Sequence, residues 1–135
     1  MFRRIISILI TAVTFLTLSD ECVAQKEGND VFVPIAKYIK NGDADALSAW
    51  MDNTVDITIA SQGGPSSRIQ AREIMKSFFQ SYTPQNFTIS HTAGRSNMKY
   101  ILADLTAGGE SFRVSLFLSS KDGTFKIQQL KIDRK

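Results

Sequence analysis

From residue 86 to the C-terminus the apolar residues of this chain recur at every second position, and that period constrains the fold more than any other feature. Phe87, Ile89, His91 and Ala93 alternate with Thr88, Ser90 and Thr92. Phe112, Val114, Leu116 and Leu118 alternate with Arg113, Ser115 and Phe117. Such alternation puts one set of side chains on each face of a strand. Ala107-Gly108-Gly109 and Lys121-Asp122-Gly123 supply the turns between strands. In the last strand Phe125 and Ile127 hold one phase, whereas Leu130 and Ile132 hold the other. That slip predicts a β-bulge at Gln128-Gln129, because otherwise half the strand would turn its apolar side to water.

Upstream of residue 86 the pattern is mostly helical. Val31, Ile35, Tyr38 and Ile39 form one stripe, stopped by Asn41-Gly42. Asp43 caps a second short helix carrying Leu47, Trp50 and Met51. Val55, Ile57 and Ile59 then read as a strand, and Ser61 to Ser66 as a flexible loop. Ser67-Arg68-Ile69-Gln70 fits a capping box. The helix it opens presents Ile69, Ala71, Ile74, Met75, Phe78, Phe79 and Tyr82 on its apolar side, and Thr83-Pro84 ends it. The expectation is a single α+β domain over 31–135, with helix, helix, strand, helix and then a four-stranded meander.

The first 24 residues read as a cleavable export signal. Arg3 and Arg4 precede an uncharged, mostly apolar run from Ile5 to Leu18, and Cys22-Val23-Ala24 offers small residues for cleavage before Gln25. A helical run of that length rises about 21 Å against a hydrocarbon core of about 30 Å, so no permanent membrane span is expected. Lipidation of Cys22 is the alternative, opposed by Asp20-Glu21 just before it. Cleavage near Ala24 leaves a short polar leader, 25–30, and a periplasmic or extracellular chain. Because Cys22 is the one cysteine, that mature chain of roughly 110 residues has neither disulfide nor thiolate and must rely on a single core. The net charge of +3 is spread along the chain, without the basic stripe that nucleic-acid binding requires.

The order of elements, with Ile39-Lys40-Asn41-Gly42-Asp43-Ala44-Asp45-Ala46-Leu47, Ser67-Arg68-Ile69-Gln70-Ala71 through Phe78-Phe79, Phe87-Thr88-Ile89-Ser90-His91 and Ile127-Gln128-Gln129-Leu130-Lys131-Ile132, resembles a family of small exported Bacteroidetes proteins of unknown function. That family is similar to the nuclear transport factor 2-like superfamily, the cystatin-like cone. The resemblance covers roughly 31–133. It implies two short N-terminal helices and one long helix packed on a curved antiparallel sheet. It implies no activity, since the fold hosts isomerases, dehydratases and binding modules alike.

Three expectations about sites follow. If the cone is open, Trp50, Met51, Met75, Phe79, Phe87, Ile89 and Phe112 line an apolar pocket, with His91, Tyr100 or Arg113 as polar anchors for a small apolar ligand. An enzyme of the isomerase or dehydratase kind would use His91, Asp104 and Tyr100 there; the alternative is a hydrogen-bonded structural histidine and a solvated aspartate. The stretch around 99–106 is apolar on both sides, so Ile101, Ala103, Leu105 and Phe117 are candidates for a homodimer interface across the sheet. One histidine without a close carboxylate gives no metal-ligand set, and no residue pattern asks for a cofactor. The favoured function is a non-enzymatic exported module that binds a small apolar ligand or a protein.

Overall fold

The computed structural model describes residues 31–135; the expected export signal and leader lie outside the described residues. Helix α1 (Phe32–Asn41) buries Phe32, Ile35 and Ile39, which its turn of 3.6 residues brings to one side. It ends where expected. Gly42 adopts a left-handed φ of 69°, the Gly42 N–H donates to the Ile39 carbonyl, and the Asp43 N–H reaches back to the Tyr38 carbonyl at 2.8 Å. The Asp43 carboxylate then accepts the Ala46 N–H and opens α2 (Ala44–Ser48).

Strand β1 (Met51–Ile59) is followed by β2 (Gln62–Ser67) and helix α3 (Arg68–Ser81). The capping box is present in full: Ser67 Oγ accepts the Gln70 N–H at 3.1 Å, and Gln70 Oε1 accepts the Ser67 N–H at 3.0 Å. Strands β3 (Pro84–Arg95), β4 (Met98–Ala107), β5 (Glu110–Lys121) and β6 (Thr124–Arg134) form the meander. One six-stranded sheet results, in the order β2-β1-β6-β5-β4-β3.

Two features correct the sequence reading. The stretch expected to be a flexible loop is β2, an edge strand whose Gly63, Gly64, Pro65 and Ser66 carry no apolar alternation to reveal it. The sheet is also mixed, because β1 runs parallel to β6. Parallel neighbours need a crossover, and here the long connection carries α3 across the sheet. The helices pack on one face, called the core face below, over Val55, Ile57, Ile101, Ala103, Leu105, Phe112, Val114, Leu116, Leu118, Ile127, Leu130 and Ile132.

The slip in the last strand is a β-bulge, as expected. Phe117 pairs with Gln129 and Leu118 with Ile127, so Gln128 has no partner on β5. That extra residue lets Ile127, Leu130 and Ile132 all reach the same core despite their opposite phases. A second bulge, which the sequence reading lacks, lies in β3: Ile89 pairs with Ala103 but His91 with Leu102, leaving Ser90 as the extra residue. Its hydroxyl donates to the Leu102 carbonyl at 3.0 Å.

Candidate functional site

The bulge at Ser90 decides where the histidine goes. Without it His91 would follow Phe87 and Ile89 onto the core face. With it His91 stands opposite Leu102, on the outer face and exposed to solvent. Tyr100 and Asp104 occupy that outer face too, so none of the three candidate catalytic residues lies in the cone. Tyr100 and Asp104 are four residues apart on one strand, about 13 Å at the usual rise. The Asp104 carboxylate meets Lys135 Nζ at 3.3 Å and stands opposite Arg113, half-exposed. Among the described residues no hydrogen bond joins His91, Tyr100 and Asp104. They share a face and converge on nothing.

The expected pocket lining divides in the same way. Met51, Met75, Phe79 and Phe112 are buried in the core. Trp50, Phe87 and Ile89 are half-buried. Arg113 follows Phe112 on an extended strand and therefore points the opposite way, onto the outer face, where it cannot anchor a ligand in the cone.

The interface assignment is reversed. Ile101, Ala103 and Leu105 are buried on the core face, opposite Leu116, Val114 and Phe112. Their neighbours Tyr100 and Leu102 take the outer face instead, and Phe117, paired with Tyr100, is there as expected. The outer face thus has an apolar centre of Tyr100, Leu102 and Phe117, with Tyr100 37 % exposed. To one side of it stand Lys131, level with Leu102, and the row Asp104, Arg113 and Asp133, with Lys131 and Asp133 3.7 Å apart.

Two arrangements have no counterpart in the sequence reading. The first is a polar clip at the start of β1. Asp52 Oδ2 accepts from Lys121 Nζ at 3.0 Å and from Gln128 Nε2 at 2.9 Å, while Oδ1 accepts the Asn53 N–H at 2.8 Å. The Gln128 amide, the Asn53 N–H and the Lys121 ammonium, in that order, hold the Asp52 carboxyl at about 2, below its ordinary 3.8, against a smaller opposing effect of burial. Arg68 reinforces the clip through the Met51 carbonyl and Asn53 Oδ1. The clip bridges an irregular stretch in which β1 runs from Met51 to Asp56 while β6 advances from Ile127 to Gln129. A bulge glutamine and a lysine next to a turn were the signals for it.

The second is a groove between β2 and the first half of α3, with a volume of about 650 Å3. Gly63, Gly64, Pro65 and Ser66 line it from the strand, and Ile69, Gln70, Glu73 and Ile74 from the helix. Reading 61–66 as a loop hid it. Among the described residues no group of His, Asp and Glu side chains is placed to hold a metal ion, and no helix is long and apolar enough to cross a membrane.

Comparison with known proteins agrees with this architecture. A crystal structure from Bacteroides uniformis is 22 % identical, covers 76 % of this chain and 94 % of its own, and has a TM-score of 0.73. One from Bacteroides fragilis is 23 % identical, with coverages of 76 % and 97 % and a TM-score of 0.72. Both are described as DUF4783 family proteins. A nuclear transport factor 2-like protein of unknown function from Silicibacter pomeroyi is 14 % identical, covers 87 % of this chain and 98 % of its own, and has a TM-score of 0.61. At these identities the likeness is one of fold, and the fold is nuclear transport factor 2-like. No curated protein matches the chain. The family described as a domain of unknown function, DUF4783, matches residues 32–133. The chain belongs to the DUF4783 family.

Proposed function

We propose that this chain is a non-enzymatic exported module that docks a protein through the outer face of its sheet, and that the protein it docks is a second copy of itself. The observation that carries the reading is the cluster of Tyr100, Leu102 and Phe117 on the face away from the helices. Soluble monomers seldom leave contiguous aromatic and aliphatic side chains on a sheet face. Acidic and basic groups both flank this one: Asp104 and Asp133 beside Arg113 and Lys131. A two-fold axis through the apolar centre would bury it against its own copy, and the balanced charges beside it give no net sign to repel that copy. The catalytic alternative has less support, because His91, Tyr100 and Asp104 lie on an open face with no enclosing walls to desolvate a base.

Light scattering on the purified chain tests the reading. The expected result is a mass twice that of the chain at high micromolar concentration, falling to the single-chain mass for Phe117→Asp with unchanged circular dichroism. A wild-type chain that stays monomeric under those conditions contradicts it. Export and cleavage after Ala24 belong to the same proposal and are read by intact-mass spectrometry of the protein recovered from its native envelope.

A further inference from the structure

On β1, β4, β5 and β6 the core face of the sheet carries large aliphatic side chains, but on β2 it carries Gly64 and Ser66, opposite buried Ile57 and Val55. Helix α3 passes over these two small residues. The space that a valine or leucine would fill is left open, and this is why the groove exists. Ile69 borders it with 66 % of its surface exposed, and nothing lies within 4 Å of where a Cβ on Gly64 would stand. At about 650 Å3 the groove falls within the range of small-molecule sites.

The polar groups along the groove narrow the ligand. The Gln70 N–H is already satisfied by Ser67, and the Gln70 side chain is turned back to the Ser67 N–H. Glu73 is the one charged residue of the lining, so an anion is repelled and a cation attracted. Its intramolecular partner leaves it room: Arg72 Nε, buried and without a hydrogen bond, stands 3.6 Å from Glu73 and 3.8 Å from Asp45, beyond hydrogen-bond reach, and the Glu73 and Asp45 side chains are well exposed. Pro65 gives the edge of β2 no N–H, which disfavours a peptide strand pairing alongside. We propose that this groove binds a small aliphatic amine. Its alkyl chain lies on Ile69 and Ile74 above the floor of Gly64 and Ser66, and its ammonium meets the Glu73 carboxylate.

Titration of the full chain with n-hexylammonium, hexanol and hexanoate, followed by methyl and amide NMR, tests this. Hexylammonium is expected to give saturable shifts at the Ile69 and Ile74 methyls and the Gly63 and Gly64 amides, binding about tenfold tighter than hexanol, with hexanoate weakest. Glu73→Gln should bring the amine level with the alcohol. Ser66→Leu, which fills the floor, should abolish saturation by all three while the remaining amide spectrum stays dispersed. Hexanol binding as tightly as the amine overturns the assignment of a cation. Shifts centred elsewhere, or no saturation by any of the three, overturn the site.

Discussion

Asp52 is the residue whose environment departs most clearly from the ordinary. Its folded carboxyl titrates near 2 and its unfolded carboxyl near 3.8, so the native state holds the proton less tightly. The stability it supplies is therefore complete above about pH 4 and is lost as pH falls towards 2. Its cationic partner Lys121 is 66 % exposed, so solvent screening keeps the contribution modest. Asp52→Asn should cost about 1 kcal/mol at neutral pH, read as a lower urea midpoint, and the gap from wild type should close between about pH 4 and pH 2. Gly63 is bound by sterics instead. A Cβ there would run into the Ile57 carbonyl oxygen, and its φ of 134° is one that side chains avoid. Gly63→Ala should destabilise by about 1–3 kcal/mol in the same measurement.

The bulges explain most of what was and was not legible in the sequence at the scale of strands. Gln128 could be found because the apolar residues on either side of it must all be buried, so the change of phase is written in their spacing. Removing it makes the point testable. Deletion of Gln128 should turn either Leu130 and Ile132 or Ile127 out of the core, at about 2–5 kcal/mol per side chain, enough to abolish a cooperative melt. Ser90 left no such mark. Beyond it β3 carries His91, Thr92, Ala93 and Gly94, all exposed, and no burial requirement reports the phase. Deletion of Ser90 should accordingly leave a folded protein with a lower melting temperature. The faces of β4 were misread, although the turn that follows the strand encodes them. The two-residue turn at Gly108-Gly109 pairs Ala107 with Glu110, and counting back sets Ile101 opposite Leu116. Alternation within β4 alone does not decide, because both of its faces are apolar. The strand β2 was illegible for a third reason: an edge strand of Gly, Pro and Ser has the composition of a loop.

For the molecule as a whole, the family and the nuclear transport factor 2-like fold were legible in the order of helices and the long alternating half, while the parallel pairing of β1 with β6 was not, since no local pattern encodes it. The site was less legible than the fold, because which face a residue occupies depends on register and a slip of one residue reverses it. Everything proposed for the outer face rests on that assignment: Ile101 belongs to the core, and its neighbour Leu102 to the outer face. Thermal unfolding of Ile101→Asp beside Leu102→Asp tests it most directly. A buried carboxylate with no partner should cost Ile101→Asp more than about 4 kcal/mol and leave it unfolded at room temperature. Leu102→Asp should lose about 1 kcal/mol or less beyond what dissociation of the proposed dimer removes, and keep a cooperative transition. A stable Ile101→Asp together with an unfolded Leu102→Asp would reverse the two faces.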